Sequence, residues 1–116
     1  MTETQVIAKF RKTVGKDGVV YKLHGNQFQA SLPDVLWIHH DITTCLEFKV
    51  VDGTTLPWSK CRLDQHLRLL EIRKHTRYAY YAVYSKKTDT LVFLNPEFVK
   101  EGFSCDLSSG YVVTLV

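Results

Sequence analysis

Apolar positions along the chain change period several times, and each change marks an element. Val6, Ile7 and Phe10 recur at helical spacing and predict a helix over 2–13. Gly15-Lys16-Asp17-Gly18 ends it in a turn. Val19 to Leu23 reads as a strand, followed by a bend at Gly25-Asn26. Residues 34–38 and 44–50 are rich in aliphatic and aromatic side chains and read as two strands. His39-His40-Asp41-Ile42 is short and partly polar, which suits a hairpin connection between them. Val51-Asp52-Gly53 closes the second strand, and residues 54–59 form a loop with Ser59 as the cap of the next helix. That helix, over about 60–74, places Leu63, Leu67 and Leu70 on one face and Gln65, Arg68 and Ile72 on its neighbour. Beyond it come a strand from Tyr78 to Tyr84, a turn at Lys86-Lys87-Thr88-Asp89 and a strand from Thr90 to Leu94. A short helix from Pro96 to Lys100, opened by proline, and an edge strand from Tyr111 to Val116 complete the chain.

The resulting order, α-β-β-β-α-β-β with a tail, predicts an α/β fold: a mixed sheet flanked by helices. Strand 44–50, helix 60–74 and strand 78–84 form a β-α-β unit whose two strands run parallel through a right-handed crossover. At 116 residues the whole chain, 1–116, is expected to be one domain with a core of its own.

The hairpin carries the candidate chemistry. If its turn centres between His40 and Asp41, Asp34 stands directly opposite Glu47, where Cβ atoms lie roughly 4.5–5.5 Å apart. Lys49, two residues beyond Glu47, projects from the same face, while Leu46, Phe48 and Val50 point the other way into the core. A slip of one residue separates the acids onto opposite faces. Two facing carboxylates repel each other unless a cation or a shifted protonation neutralises them. Mg²⁺ takes hard oxygen ligands, commonly one or two protein carboxylates with phosphate and water filling the rest. Two acids and an amine so arranged form a minimal kit for phosphodiester hydrolysis. The plainer alternative is a Pro33-Asp34 turn beside a same-face Glu47–Lys49 surface ion pair.

Composition narrows the setting. The net charge is +3, and its distribution says more than its size. Lys60, Arg62, Arg68, Arg73, Lys74 and Arg77 stand against Asp64 and Glu71 in one segment, and Lys9, Arg11, Lys12 and Lys16 form a second basic group. Such clusters neutralise phosphates and release counterions, although a solvated helix face has the same composition. Cys45, Cys61 and Cys105 are scattered and odd in number, so no disulfide framework or paired-cysteine zinc site is implied. His39 and His40 beside Cys45 read as turn histidines and a buried thiol. No apolar run approaches the roughly 18 residues that span a bilayer, and the N-terminus has no signal-peptide pattern. A cytoplasmic protein without membrane contact is expected. Tyr78, Tyr80, Tyr81 and Tyr84 suit a core or an interface better than base stacking.

Tyr21-Lys22-Leu23-His24-Gly25-Asn26-Gln27-Phe28-Gln29 leads into Ser31-Leu32-Pro33-Asp34; Glu47-Phe48-Lys49, Gly53, Leu56 and Gln65 follow, with Leu67, Leu69 and Leu70 behind. This order resembles the VRR-NUC domain of the PD-(D/E)XK nuclease superfamily, in the format of its stand-alone viral and phage members. In architecture it is also similar to the archaeal-type Holliday junction resolvases. The resemblance spans roughly residues 3 to 85 and implies a restriction-endonuclease-like core. It implies Asp34 and Glu47 as metal ligands, Lys49 as the catalytic lysine, Gln65 as a further catalytic residue and Glu3 as an additional acidic ligand on the first helix. Ser31 departs from the glycine usual at that place, which bears on the turn but removes no chemical group.

The resemblance further implies Mg²⁺, with Mn²⁺ able to substitute, and a structure-specific endonuclease that cuts four-way DNA junctions as a homodimer. Lys22, His24, Trp58, Lys60, Arg62 and Arg68 are the expected nucleic-acid contacts. Two other readings share the sequence: a flap, single-strand or nicking nuclease, and a module that binds nucleic acid without cutting it.

Overall fold

The computed structural model describes residues 1–23 and 31–115. Helix α1 (Glu3–Val14) opens with a capping box in which the Gln5 N–H donates to Thr2 Oγ1 and the Thr2 N–H donates to Gln5 Oε1. Strands β1 (Val19–Lys22), β2 (Val35–His39) and β3 (Ile42–Val51) follow and pair antiparallel in sequence order. The β2–β3 turn is two residues long. His40 and Asp41 have φ of 48° and 64°, the paired left-handed conformation that matches the twist of a tight hairpin. This fixes His39 opposite Ile42 and Val35 opposite Leu46, the expected register.

Past β3 the chain makes a short strand β4 (Thr55–Leu56), a 3₁₀ turn at Trp58–Lys60 and helix α2 (Leu63–Arg73). Strand β5 (Ala79–Ser85) then pairs parallel with β3, from Cys45 opposite Ala79 to Val51 opposite Ser85. Strand β6 (Thr90–Leu94) returns antiparallel to β5, and β7 (Cys105–Asp106) and β8 (Tyr111–Val113) finish the order. The main sheet has six strands in the order β1-β2-β3-β5-β6-β8, and β4 pairs with β7 in a small second sheet.

Several expectations change. The last strand ends at Val113, not Val116, and the short helix at Pro96 is a 3₁₀ turn that ends at Phe98. The second helix starts at Leu63, not at residue 60; Ser59 lies inside the 3₁₀ turn, and Arg62 precedes the helix without a side-chain cap. The chain is extended at Cys61 and Arg62, so the 3₁₀ turn and the helix are separate elements. The Leu63–Leu67 face of α2 does not enter the core: these residues are 48% and 54% exposed, while His66 and Leu69 turn inward. The pairing of β4 with β7 adds a small sheet that the sequence does not announce, because two-residue strands carry no readable period.

Both faces of the sheet are covered. Phe10 and Val6 of α1 pack on Leu46, Phe48, Ala82 and Phe93; Leu69 of α2 packs with Tyr81, Val83 and Leu94 on the other side. Of the tyrosines, Tyr81 and Tyr84 are buried in these layers. Among the described residues no helix is long and apolar enough to cross a membrane.

Phe10 is fully buried and meets Trp37, Phe48 and Phe93 at ring-centroid distances of 5.4, 5.7 and 6.0 Å. Phe10→Ala is expected to cost about 3–5 kcal/mol, read as a lower denaturation midpoint at unchanged slope. The exposed Lys12→Ala on the same helix should stay within about 0.5 kcal/mol of the parent.

Candidate active site

The site forms where β2 and β3 part. Their ladder ends at Val35 opposite Leu46, so the next position brings Asp34 opposite Glu47. Asp34 keeps its backbone bond to the first strand's extension, its carbonyl accepting the Leu23 N–H at 2.7 Å. Its side chain crosses to β3 instead, and Oδ2 accepts the Phe48 N–H at 2.9 Å. A carboxylate thus stands in for the missing strand partner, and β3 runs on from Glu47 to Val51 without a β2 neighbour.

The odd-numbered residues of this free stretch face α2, because Leu46 and Phe48 belong to the α1 layer. Glu47 and Lys49 are both buried, at 2% and 9% exposure, so the surface ion-pair alternative does not describe them. Lys49 Nζ lies 3.6 Å from Glu47 Oε2 and donates to Gln65 Oε1 at 3.2 Å. Gln65 sits in the first turns of α2, which the parallel β3–α2–β5 crossover lays over this face. Asp34, the Glu47 and Lys49 pair of β3, and Gln65 therefore meet in one place from three separate segments of the chain.

The Glu47 carboxyl is raised to about 8. Burial is the largest cause, the Asp34 charge adds to it, and Lys49 opposes both without prevailing; hydrogen bonding with Asp34 and the Glu3 charge raise it further. Its Oε1 atom is buried with no hydrogen-bond partner. Glu3, at the start of α1, is exposed as a residue, yet its carboxyl is also raised, by partial loss of hydration and then by Asp34, against Lys49 and Lys60.

Whether these groups suit a divalent cation follows from the donor set. Among the described residues no three His, Cys, Asp or Glu side chains gather closely enough to hold a metal ion, so Glu3 does not complete a carboxylate cage. The Asp34 and Glu47 pair does fit: hard oxygens, one of them an orphan in a dehydrated fork, of the number Mg²⁺ commonly takes from a protein.

The other expected contacts scatter. Lys60 joins Glu3 and Lys49 around an open cavity of about 430 Å³ at the end of the fork. Trp58 is half-buried, its ring edge-on to His66 at 5.2 Å, and packs with the α2 layer rather than standing free in a loop. Arg62 is exposed and paired with Asp64 at 2.6 Å. Arg68 Nε donates to Ser31 Oγ at 3.3 Å and lies 3.8 Å from Glu71, tying α2 to the segment that delivers Asp34. Lys22 is exposed on β1, and His24 lies outside the described residues.

Sequence reasoning missed Lys86, which lines the same cavity, and the pairing of buried His66 Nδ1 with Tyr81 Oη at 2.9 Å beneath the site. By sequence Lys86 is only part of a turn; its place directly after the strand parallel to β3 is the signal that points to it. For His66, the more hydrophobic Leu63 and Leu67 obscure the inward-facing helical position.

A raised carboxyl pKa is a stability statement. Unfolded, Glu47 ionises near 4.5; folded, it keeps its proton to about pH 8. The folded state is therefore not penalised below pH 4.5, loses stability as pH rises from there to about 8, and recovers none above it. In chelator, Glu47→Gln should remove this fall, so the stability gap between variant and parent in denaturant titrations is expected to widen in the variant's favour from about pH 5 to about pH 8.5.

No family model matches the chain, and no curated protein matches it. Among solved structures it matches Hjc, a Holliday junction resolvase from the archaeal hyperthermophile Archaeoglobus fulgidus. The TM-score is 0.71 and the identity 16%, over 94% of this chain and 94% of that chain. The fold is accordingly the restriction-endonuclease-like α/β fold, with its mixed six-stranded sheet flanked by helices.

Proposed function

We propose that the chain is a divalent-metal-dependent DNA endonuclease of the VRR-NUC type, acting on four-way junctions as a homodimer in the cytoplasm. The observation that carries this reading is the fork itself. Asp34, Glu47, Lys49 and Gln65 converge there, and the buried Glu47 Oε1 lacks a partner that a cation would supply. The fold shared with a Holliday junction resolvase supports the same class.

Asp34 and Glu47 would hold Mg²⁺, or Mn²⁺ in its place, with Glu3 near enough to add its charge. Bound there, the metal supplies an activated water and stabilises charge on the scissile phosphate and leaving oxygen. Asp34 orients its carboxylate through the Phe48 N–H. Gln65 and Glu47 hold the Lys49 ammonium toward the fork, where it orients water or offsets charge developing on the phosphate. Gln65 contributes through that grip, its NH₂ group remaining to contact a water or phosphate oxygen. The whole of residues 1–116 acts as a single nuclease domain.

Shape recognition suits a protein of this size, and paired cuts across a four-way junction need two sites related by a two-fold axis. The basic faces of α1 and α2 are the surfaces for phosphate contact.

With Mg²⁺ and a panel of junction, flap, duplex and single-stranded DNAs, the expected result is paired symmetric nicks in the junction. Asp34→Asn keeps an acceptor for the Phe48 N–H and Glu47→Gln keeps the side-chain shape, so both are expected to fold. Both should lower cleavage at least about 10²-fold, in line with loss of one electrostatic catalytic group, while binding is retained. Cleavage at parental rate by both purified variants would overturn the metal assignment. Cutting of flaps or single strands in preference to junctions would replace the resolvase reading with the trimming one.

A further inference from the structure

We infer that Lys86, with Lys60 on the border of the same cavity, forms a backbone-phosphate subsite beside the catalytic fork, which grips the nucleic-acid strand being cut. The inference rests on the nuclease reading and adds to it Lys86, which neither motif nor spacing assigns, as the partner of the already expected Lys60.

The parallel strands β3 and β5 end side by side, Val51 opposite Ser85. In open α/β sheets the carboxyl ends of parallel strands are where ligands are received. Here the end of β3 carries Lys49 and Asp52, and the end of β5 carries Lys86. The backbone at this rim is fixed: the Lys86 N–H donates to the Val51 carbonyl at 2.9 Å, and Ser85 Oγ donates to the Gly53 carbonyl at 2.6 Å. Lys86 therefore projects from a rigid strand end.

The cavity of about 430 Å³ at this rim is bordered by Lys49, Lys60 and Lys86, with Glu3 and Asp52 as its acids. Its size lies within the roughly 300–1,000 Å³ typical of ligand sites. The acids do not cancel the three ammonium groups. Asp52 is 89% exposed in its side chain and reaches Lys86 at 3.7 Å, a solvent-screened pair that a phosphate can displace. Glu3 faces Lys49 and Lys60, and its carboxyl shares their field with Asp34. Lys49 is committed to Glu47 and Gln65. Lys60 has no hydrogen bond or ion pair shorter than the ordinary limits to a described acid, and Lys86 has only the Asp52 contact among the described residues.

The geometry places these two amines next to the group that would act on the scissile phosphate. A strand whose scissile phosphate enters the fork must pass its neighbouring phosphates along this rim. A point-charge ammonium on a flexible stem is suited to such a contact, where position matters less than charge. Contacts of this kind fix register and orientation without reading sequence.

The test separates binding from cutting. Lys86→Ala, Lys60→Ala and their double variant are titrated with a labelled four-way junction in chelator, over salt from about 50 to 200 mM. Lys87→Ala, the neighbour on the same turn that does not line the cavity, is the reference. The expected result is a fall of about 1 in the slope of log K against log salt for each lysine removed. With Mg²⁺ added, KM should rise while kcat is largely retained, and Lys86→Arg should restore binding.

Parental salt slopes in Lys86→Ala and Lys60→Ala, or an equal loss in Lys87→Ala, would overturn the subsite. Cleavage by the parent alongside such unchanged slopes would overturn it while leaving the nuclease reading intact. A lower salt slope in Lys86→Ala, where the parent cuts none of the DNAs with metal added, would support the phosphate contact alone and overturn the nuclease reading.

Discussion

The hydrogen bond from the Phe48 N–H to the Asp34 carboxylate decides where the β2–β3 ladder stops and the site begins. Had a strand residue taken that position, β2 would have continued alongside β3 and closed the gap. A side chain takes it instead, so the backbone of β2 departs while β3 runs on. The same bond fixes the Asp34 carboxylate beside Glu47. One interaction thus opens the fork and sets its first acid.

What fills the fork is costly to fold. Glu47 and Lys49 are both nearly water-free, and buried ionisable groups persist only when paired or neutralised. Lys49 finds Glu47 and Gln65, but Glu47 keeps an orphan oxygen and a carboxyl raised to about 8. The surrounding layers supply the offsetting stability. Phe10 and its aromatic neighbours hold β3 from one side, and Leu69 with Tyr81 hold it from the other. His66 and Tyr81 are stacked and hydrogen-bonded to each other, Tyr81 standing opposite Glu47 in the β3–β5 register, and burial holds His66 below its ordinary pKa. Local destabilisation of this kind is typical of sites built to receive a ligand or carry out chemistry.

Much of this is legible along the chain. The helix of Val6, Ile7 and Phe10 and the hairpin register through His40 and Asp41 are local properties, set by period and turn chemistry. Those local rules suffice to put Asp34, Glu47 and Lys49 on one side. The second helix is less legible. Leu63 and Leu67 have the pattern of an inward face, yet the crossover to β5 rotates α2 so that His66 and Leu69 point in. Ser59 has the chemistry of a cap, but a 3₁₀ turn with Trp58 packed on His66 absorbs it. Propensity cannot see either outcome, because both follow from how α2 sits on the sheet.

The amino-acid order by itself determined the principal helices and strands, and the alternation that sends Glu47 and Lys49 to the face opposite Leu46 and Phe48. These depend on neighbours within a hairpin or a helical turn. Tertiary structure alone decided that this face is buried, that Gln65 reaches Lys49 across 16 residues, and that Lys86 shares a rim with Lys60. Those relations arise from the parallel pairing of β3 with β5 and the placing of α2 across them. The β-α-β order announces the parallel pairing, but burial and side-chain reach across it leave no period in the sequence, so only the packed molecule reveals them.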